Sequence, residues 1–265
     1  MAPDDLRELL TGVAARAARV GELPDEAEAG PPEGRLFRPV DPRDAGVIAD
    51  WSSAAAVRWA PALHLEPREL ADVLAAGLVD DRRIAAVEVA PTGWLAITVS
   101  DAARAEVVGA ILADPDGYAV PEGVVLPEVA DERPGSRPPG DPVAVVQLSH
   151  ARQCRRIRNA TAAGVQTRPS DRLEQLTHVS ERVLLVTLAD LPQRLARHPA
   201  GRERILAAMA EVACRADAWV HPVRPLTLDE SVEPVHGARL ALATATRDVL
   251  RTGLRLLGAS APERM

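Results

Sequence analysis

Residues 141–164 read DPVAVVQLSHARQCRRIRNATAAG, and the rest of the chain is organised around them. Apolar residues at Val145, Leu148, Ala151 and Ile157, with Val146 and Cys154 alongside, keep the three-and-four spacing that gives a helix one buried stripe. Asp141 is a good N-cap, because its carboxylate accepts from the free amides of a first turn. Pro142 suits the first helical position, where its missing N–H costs nothing, and Gly164 is a good stop. The spacing predicts a helix of about 22 residues, roughly 33 Å long at 1.5 Å per residue. Arg152, Arg155, Arg156 and Arg158 crowd two of its turns.

C-terminal to this stretch, 180–197 and 201–219 read as two antiparallel helices joined by a turn at Pro199, with Pro192 kinking the first. A loop rich in proline and acid follows over 221–235. Residues 237–257 form the last long helix, ended by Gly258. Four to five helices of this length make a bundle. Arg239, Arg247, Arg251 and Arg255 fall on one broad face of the last helix, where they either line a groove for a polyanion or are simply wet.

The front of the chain has another character. Residues 4–20 read as an amphipathic helix with acidic residues in its first turn, where the helix dipole favours them. Residues 35–40 form a short strand, 47–60 a helix by their alanines, and 66–78 a second helix opened by Pro67. Residues 84–90 and 94–100 alternate apolar with small or polar positions around Pro91-Thr92-Gly93, the pattern of two strands joined by a turn. Asp101 then caps a helix to about 112. The expected fold class is α/β plus all-α: a small α/β module over 1–114, a linker rich in proline, glycine and acid over 115–140, and a helical bundle over 141–265.

The chain contains no lysine: all 31 basic residues are arginine. Residues 1–142 carry 13 arginines against 26 acidic residues, and 143–265 carry 18 against 12, so the two parts stand at −13 and +6. An acidic front joined to a basic back points to a polyanion partner for the back alone, or to a solvated helical surface. No apolar run reaches the roughly 18 to 20 residues that span a bilayer, and the opening MAPDDLREL lacks a secretory pattern. Two cysteines inside helices, Cys154 and Cys214, fit a reducing cytoplasm. No histidine pair has zinc spacing, and phosphate-cradling glycine motifs and the G-x-S-x-G elbow are missing, so neither a metal nor a cofactor is expected.

The stretch 141–164 resembles the opening helix of the anticodon-binding DALR domain of arginyl-tRNA synthetases. Asp141, Pro142, Val146, Gln147, His150, Ala151, Arg152, Ile157 and Arg158 stand at matching places in the family pattern. Residues 238–265, closing on A-P-E-R-M, resemble the last helix and tail of the same enzymes. The front module resembles their N-terminal additional domain: Asp50, Trp51, Ser52, Ser53 and Ala56 answer one motif, Pro67 to Ala71 with Leu74 a second, and Val87 to Ala90, Gly93, Leu95 and Ile97 a third.

In those enzymes a nucleotide-binding catalytic domain separates the two modules, whereas about 26 residues do so here, and such a fold needs well over ~100. The H-x-G-H segment is absent, and a lysine loop is impossible without lysine. The resemblance therefore implies a free-standing, non-catalytic paralogue that binds tRNA on its anticodon-stem side, with arginine tRNA as the family's partner. The alternative is an auxiliary or regulatory subunit of a synthetase or of a tRNA-dependent biosynthetic enzyme, meeting a protein through its acidic front.

Reading an RNA loop needs unstacked bases held on rings or guanidinium planes, with basic groups on the backbone. The tRNA-binding candidates are Gln147, His150, Arg152, Arg155, Arg156, Trp219, Arg239, Met265 and Trp94. Gln147 and His150 are either RNA contacts or packing and capping groups, and Trp219 either stacks on a base or is a core tryptophan at a helix end. Arg152 and Arg156 suit backbone contacts. By resemblance, Met265 ends the tail that lies near the anticodon and Trp94 keeps an aromatic that meets the tRNA D-loop corner. Ala54 and Ala96 replace the family's amides there, at a loss of roughly 1 kcal/mol or more for each missing base-edge bond. Leu148 replaces the family's first-helix tyrosine, and Trp51 and Trp59 read as packing.

Overall fold

The computed structural model describes residues 1–41, 49–121, 123–124, 126–129, 135–138, 140–167, 172–196, 201–227 and 229–265. The chain divides into two compact units, 1–104 and 105–265.

In the first unit, helix α1 (Pro3–Arg19) precedes strands β1 (Phe37–Pro39) and β2 (Trp51–Ser53). Helices α2 (Ala55–Trp59) and α3 (Pro67–Leu78) lead to strands β3 (Ile84–Val89) and β4 (Leu95–Val99). The four strands form one antiparallel sheet in the order β1-β2-β4-β3. Trp51 stands opposite Ile97, and Ser53 opposite Leu95. Those four are buried while Ser52 and Ala96 between them are not, the period-two alternation of a sheet with one face in the core. Helices α1 and α3 approach closely at Gly77, where a Cβ would stand 2.5 Å from Cγ1 of Val13.

The helix expected over 47–60 is not what forms. Residues 47 and 48 lie outside the described residues, 51–53 are strand β2, and only Ala55–Trp59 is α-helical. The alanines suggested one long helix, but pairing with β1 and β4 claims the backbone of 51–53, and tertiary pairing outweighs local propensity. Trp51 and Trp59 are both buried, as packing groups are. Asp50, just before β2, receives the Arg104 guanidinium in a fork: Nε donates to Oδ1 at 2.9 Å and Nη2 to Oδ2 at 2.8 Å. Both side chains are almost completely buried, at 3% and 2% exposure. The amide of Val99 also donates to Asp50, and Arg104 reaches Asp101 and the Val99 carbonyl. Burial works against the Arg104 charge, but the bonds and charges of Asp50 and Asp101 prevail and hold its pKa above the ordinary value.

The division between the units falls inside helix α4 (Asp101–Ala113). The second unit continues with α5 (Pro142–Ala162), α6 (Val179–Leu195), α7 (Arg202–Ala218) and α8 (Pro234–Leu256). Helix α5 packs on α7 and α8, α6 on α7, and α7 on α8, giving the expected bundle. Asp141 is the N-cap of α5 and accepts from the Val143 amide at 2.8 Å. A hydrogen bond from Arg137, followed by that amide, holds its carboxyl below the usual range. At the other end Gly164 takes φ +79°. The Gly164 amide then reaches the Thr161 carbonyl and the Val165 amide reaches that of Ala160, satisfying the last carbonyls of the helix. Residues 257–259 close α8 in the same way around Gly258.

Pro192 stands in the last turn of α6 and has no N–H to give the carbonyl of Leu188 four residues back. The chain's single tyrosine repairs this: the Tyr118 hydroxyl donates to the Leu188 oxygen at 2.9 Å. Helices α6 and α8 are joined by Glu181, fully buried, which accepts from Arg239 at 2.7 Å and from the backbone amide of His178 at 3.2 Å. Helices α7 and α8 touch at Gly253, where a Cβ would fall 2.5 Å from Cγ of Met209. The turn expected at Pro199 lies outside the described residues.

Candidate nucleic-acid interface

Helix α5 presents three strips. The first runs along Gln147, His150 and Arg158 and holds the residues that follow α8. The Gln147 Nε2 donates to the Ser260 carbonyl at 3.0 Å, the His150 Nδ1 lies 3.0 Å from the Pro262 carbonyl, and Arg158 donates to the Glu263 carbonyl at 3.3 Å. Gln147 and His150 are buried by this tail. Burial, reinforced by the charges of Arg247 and Arg251, pushes the His150 pKa down against the bond to Pro262. The Cys154 thiol sits 3.8 Å from the same ring, and burial raises its pKa.

The second strip, at Ser149, Arg152 and Arg156, meets the end of α7. Ser149 Oγ donates to Asp217 at 3.2 Å, Arg152 pairs with the same carboxylate, and Arg156 donates to the Trp219 carbonyl. The Arg156 guanidinium carbon stands 4.7 Å from the centre of the Trp219 ring, which is fully buried. Burial lowers the Arg156 pKa, and the neighbouring charges of Arg155 and Arg152 add to this while Asp217 opposes it.

Between the two lies an exposed ridge. Val145 and Leu148 are 47% and 38% exposed and lead to the exposed Arg155, with Arg152, paired to Asp217, on the border between the ridge and the second strip. Arg155 makes no ion pair with any described residue. The sequence pattern placed Val145 and Leu148 in the buried stripe; instead Val143, Val146, Ala151 and Cys154 are buried together with the polar Gln147, Ser149, His150 and Gln153. Polar side chains go inside because the tail and α7 supply carbonyls and a carboxylate for Gln147, Ser149 and His150, so their burial does not forfeit hydrogen bonds.

The remaining candidates are dispersed. Arg239 is bound to Glu181 and to the Pro222 carbonyl at 3.4 Å, away from the ridge residues in its contacts. Met265 is 49% exposed beyond the tail's bonds to α5. Trp94 belongs to the first unit, beside the turn at Gly93, and is 39% exposed. Ser260, Glu263 and Asp217 were not singled out from sequence. Their partners lie 65 to 113 residues away, so no local spacing marks them.

No helix among the described residues is long and apolar enough to cross a membrane, and none of the described His, Cys, Asp and Glu side chains form a group of three suited to a metal ion.

Residues 146–265 match the family described as the DALR anticodon binding domain. The arginine–tRNA ligase of Clavibacter sepedonicus is 40% identical over 134 residues, which are 49% of this chain and 24% of that enzyme. The arginine–tRNA ligase of Kineococcus radiotolerans is 40% identical over 128 residues, 47% of this chain and 23% of the relative. The matched part of the chain thus spans about a quarter of the length of these curated relatives. No solved structure matches. The part of the bundle that holds most of the ridge and the tail is therefore similar to the DALR anticodon binding domain, and about half of the chain is similar to the arginine–tRNA ligases.

Proposed function

We propose that the chain binds tRNA through the exposed ridge of α5 and the tail strapped beside it, without aminoacylating it. Arg152 and Arg155 meet phosphates, while Val145, Leu148 and Met265 offer apolar surface to unstacked bases. Gln147, His150 and Trp219 act behind that surface: the first two fix the tail, and the third carries Arg156. The observation that supports this best is Arg155, an exposed arginine at the end of the ridge that forms no ion pair with a described residue. A guanidinium so placed is free to release its counterions to a phosphate backbone.

Arginine tRNA, a cytoplasmic setting and a non-catalytic paralogue of the synthetase complete the reading. The interval between the two resembling modules is too short for a nucleotide-binding domain, and neither the H-x-G-H segment nor any lysine is present. The strongly acidic 1–142 leaves a second role, as an accessory subunit recruited by a basic protein surface, which copurification from cells would reveal.

The test is a filter-binding titration of tRNA against duplex DNA at ~0.15 M salt, followed by a salt series. Preference for tRNA with an affinity that falls steeply with salt is expected. Equal affinity for the two nucleic acids would remove the proposal, and ATP-dependent attachment of arginine to tRNA by the purified chain would remove its non-catalytic half.

A further inference from the structure

We propose that Arg251 and Arg255 on α8 form a second phosphate site for the bound RNA, held closed by Asp116, whose carboxylate occupies the place of the phosphate. The inference rests on the tRNA-binding reading and adds to it a masked contact and its competitor.

One oxygen of Asp116 accepts from Arg251 Nη2 at 3.2 Å and from Arg255 Nη1 at 2.9 Å. The two arginines are one helical turn apart, so both guanidinium groups reach a single anion. Asp116 itself is 65% exposed, which makes it a solvated, replaceable partner rather than a buried one. A phosphate brings more charge and more acceptor oxygens to the same fork than a single carboxylate oxygen does.

The other arginines of α8 are satisfied differently. Arg239 holds the buried Glu181, and Arg247 holds its neighbour Asp248, itself nearly buried. Arg251 shares Asp248 at 3.3 Å, but Arg255 pairs with no other described carboxylate. Asp116 is the one carboxylate that Arg251 and Arg255 share, and its removal leaves Arg255 without a described carboxylate and Arg251 held only by Asp248.

The segment that carries Asp116 is fixed independently of that ion pair. Thr252 Oγ1 donates to the Pro115 carbonyl at 3.1 Å, and Tyr118 donates to Leu188. A change at Asp116 therefore unmasks the arginines without releasing the segment. The stripe also adjoins the proposed interface, since the charges of Arg247 and Arg251 are felt at His150, the residue that holds the tail.

The experiment titrates the full chain and its Asp116→Asn variant with tRNA across ~0.05 to ~0.2 M salt. Unmasking is expected to tighten binding about three- to tenfold at the lowest salt and to steepen the log–log salt slope by about one to two. Adding Arg251→Gln and Arg255→Gln to the Asp116→Asn chain should cancel the gain, and Asp116→Glu, which restores the carboxylate, should bind like the parent. Thermal melting confirms that each variant is folded. Unchanged affinity and slope in Asp116→Asn, or a gain that survives loss of both arginines, overturns the proposal. Linear polyphosphate, which has no bases, separates the two readings. If tRNA binds neither protein but polyphosphate binds the variant more tightly, RNA recognition fails and the masked anion site stands. If tRNA binds both proteins equally and polyphosphate does too, the mask fails and RNA recognition stands.

Discussion

The Nδ1 of His150 lies 3.0 Å from the carbonyl oxygen of Pro262, tying the opening helix of the bundle to the residues that follow its last one. A carbonyl only accepts, so Nδ1 carries the proton and the tautomer is fixed.

Burial first, then Arg247 and Arg251, holds this imidazole below its ordinary value of 6.5. As pH falls through that value the unfolded chain takes up a proton that the folded one refuses. The contribution of His150 to stability is therefore complete above about 6.5 and declines below it. His221 and His236 are shifted the same way, each by burial first. Urea midpoints of the bundle should fall between pH 7.5 and pH 5.5, and His150→Asn, whose amide can replace the Nδ1 donor, should show a smaller fall. An identical pH dependence in the variant would remove His150 from this account.

A second expectation concerns Asp50 and Arg104 in the first unit. With both side chains almost entirely out of water, Asp50→Ala leaves a buried guanidinium with only Asp101 and the Val99 carbonyl and should cost about 3 kcal/mol. Replacing both, as Asp50→Ala with Arg104→Leu, should recover much of that loss. Tryptophan fluorescence during urea unfolding reads the unit through Trp51, Trp59 and Trp94. A double variant as unstable as Asp50→Ala alone would contradict the pairing.

A third follows from Tyr118. Its hydroxyl serves the Leu188 carbonyl that Pro192 leaves free, so Tyr118→Phe should cost about 1 kcal/mol. Pro192→Ala supplies the missing amide, and in that background Tyr118→Phe should cost almost nothing. A double-mutant cycle by chemical denaturation measures the difference directly, and purely additive effects would reject the repair.

Elements with their own end signals were legible in the sequence. Asp141, Pro142 and Gly164 mark α5, which runs Pro142–Ala162, because caps and stops act within a turn of the residues that carry them. The two strands around Gly93 were legible too, since the glycine takes φ +83° where a Cβ would press on the Pro67 carbonyl at 2.7 Å. What escaped was set by distant partners. Asp50 looked like one letter of a motif and is half of a buried ion pair with a residue 54 positions on. The burial of α5 was misread at Val145 and Leu148 because hydrophobicity decides a face only when neighbours bring no polar groups. Here Ser260, Pro262 and Asp217 do, and the polar side of the helix turns inward.

Arg155 and Trp219 separate the outer layer of the proposed interface from its support. Arg155 is exposed and unpaired among the described residues, so its charge is available to a phosphate; Trp219 is fully buried under Arg156, so its ring is not available to a base. Arg155→Gln should therefore weaken binding to every tRNA by a similar factor and reduce the salt slope by about one. Trp219→Phe keeps an aromatic face for Arg156 and should leave the slope unchanged, its cost appearing as lower bundle stability, because the smaller ring fills the site less well. Salt-series titrations of the two variants decide the matter. A slope that drops for Trp219→Phe and stays constant for Arg155→Gln would put the RNA on the other side of α5, along the strip that meets the end of α7.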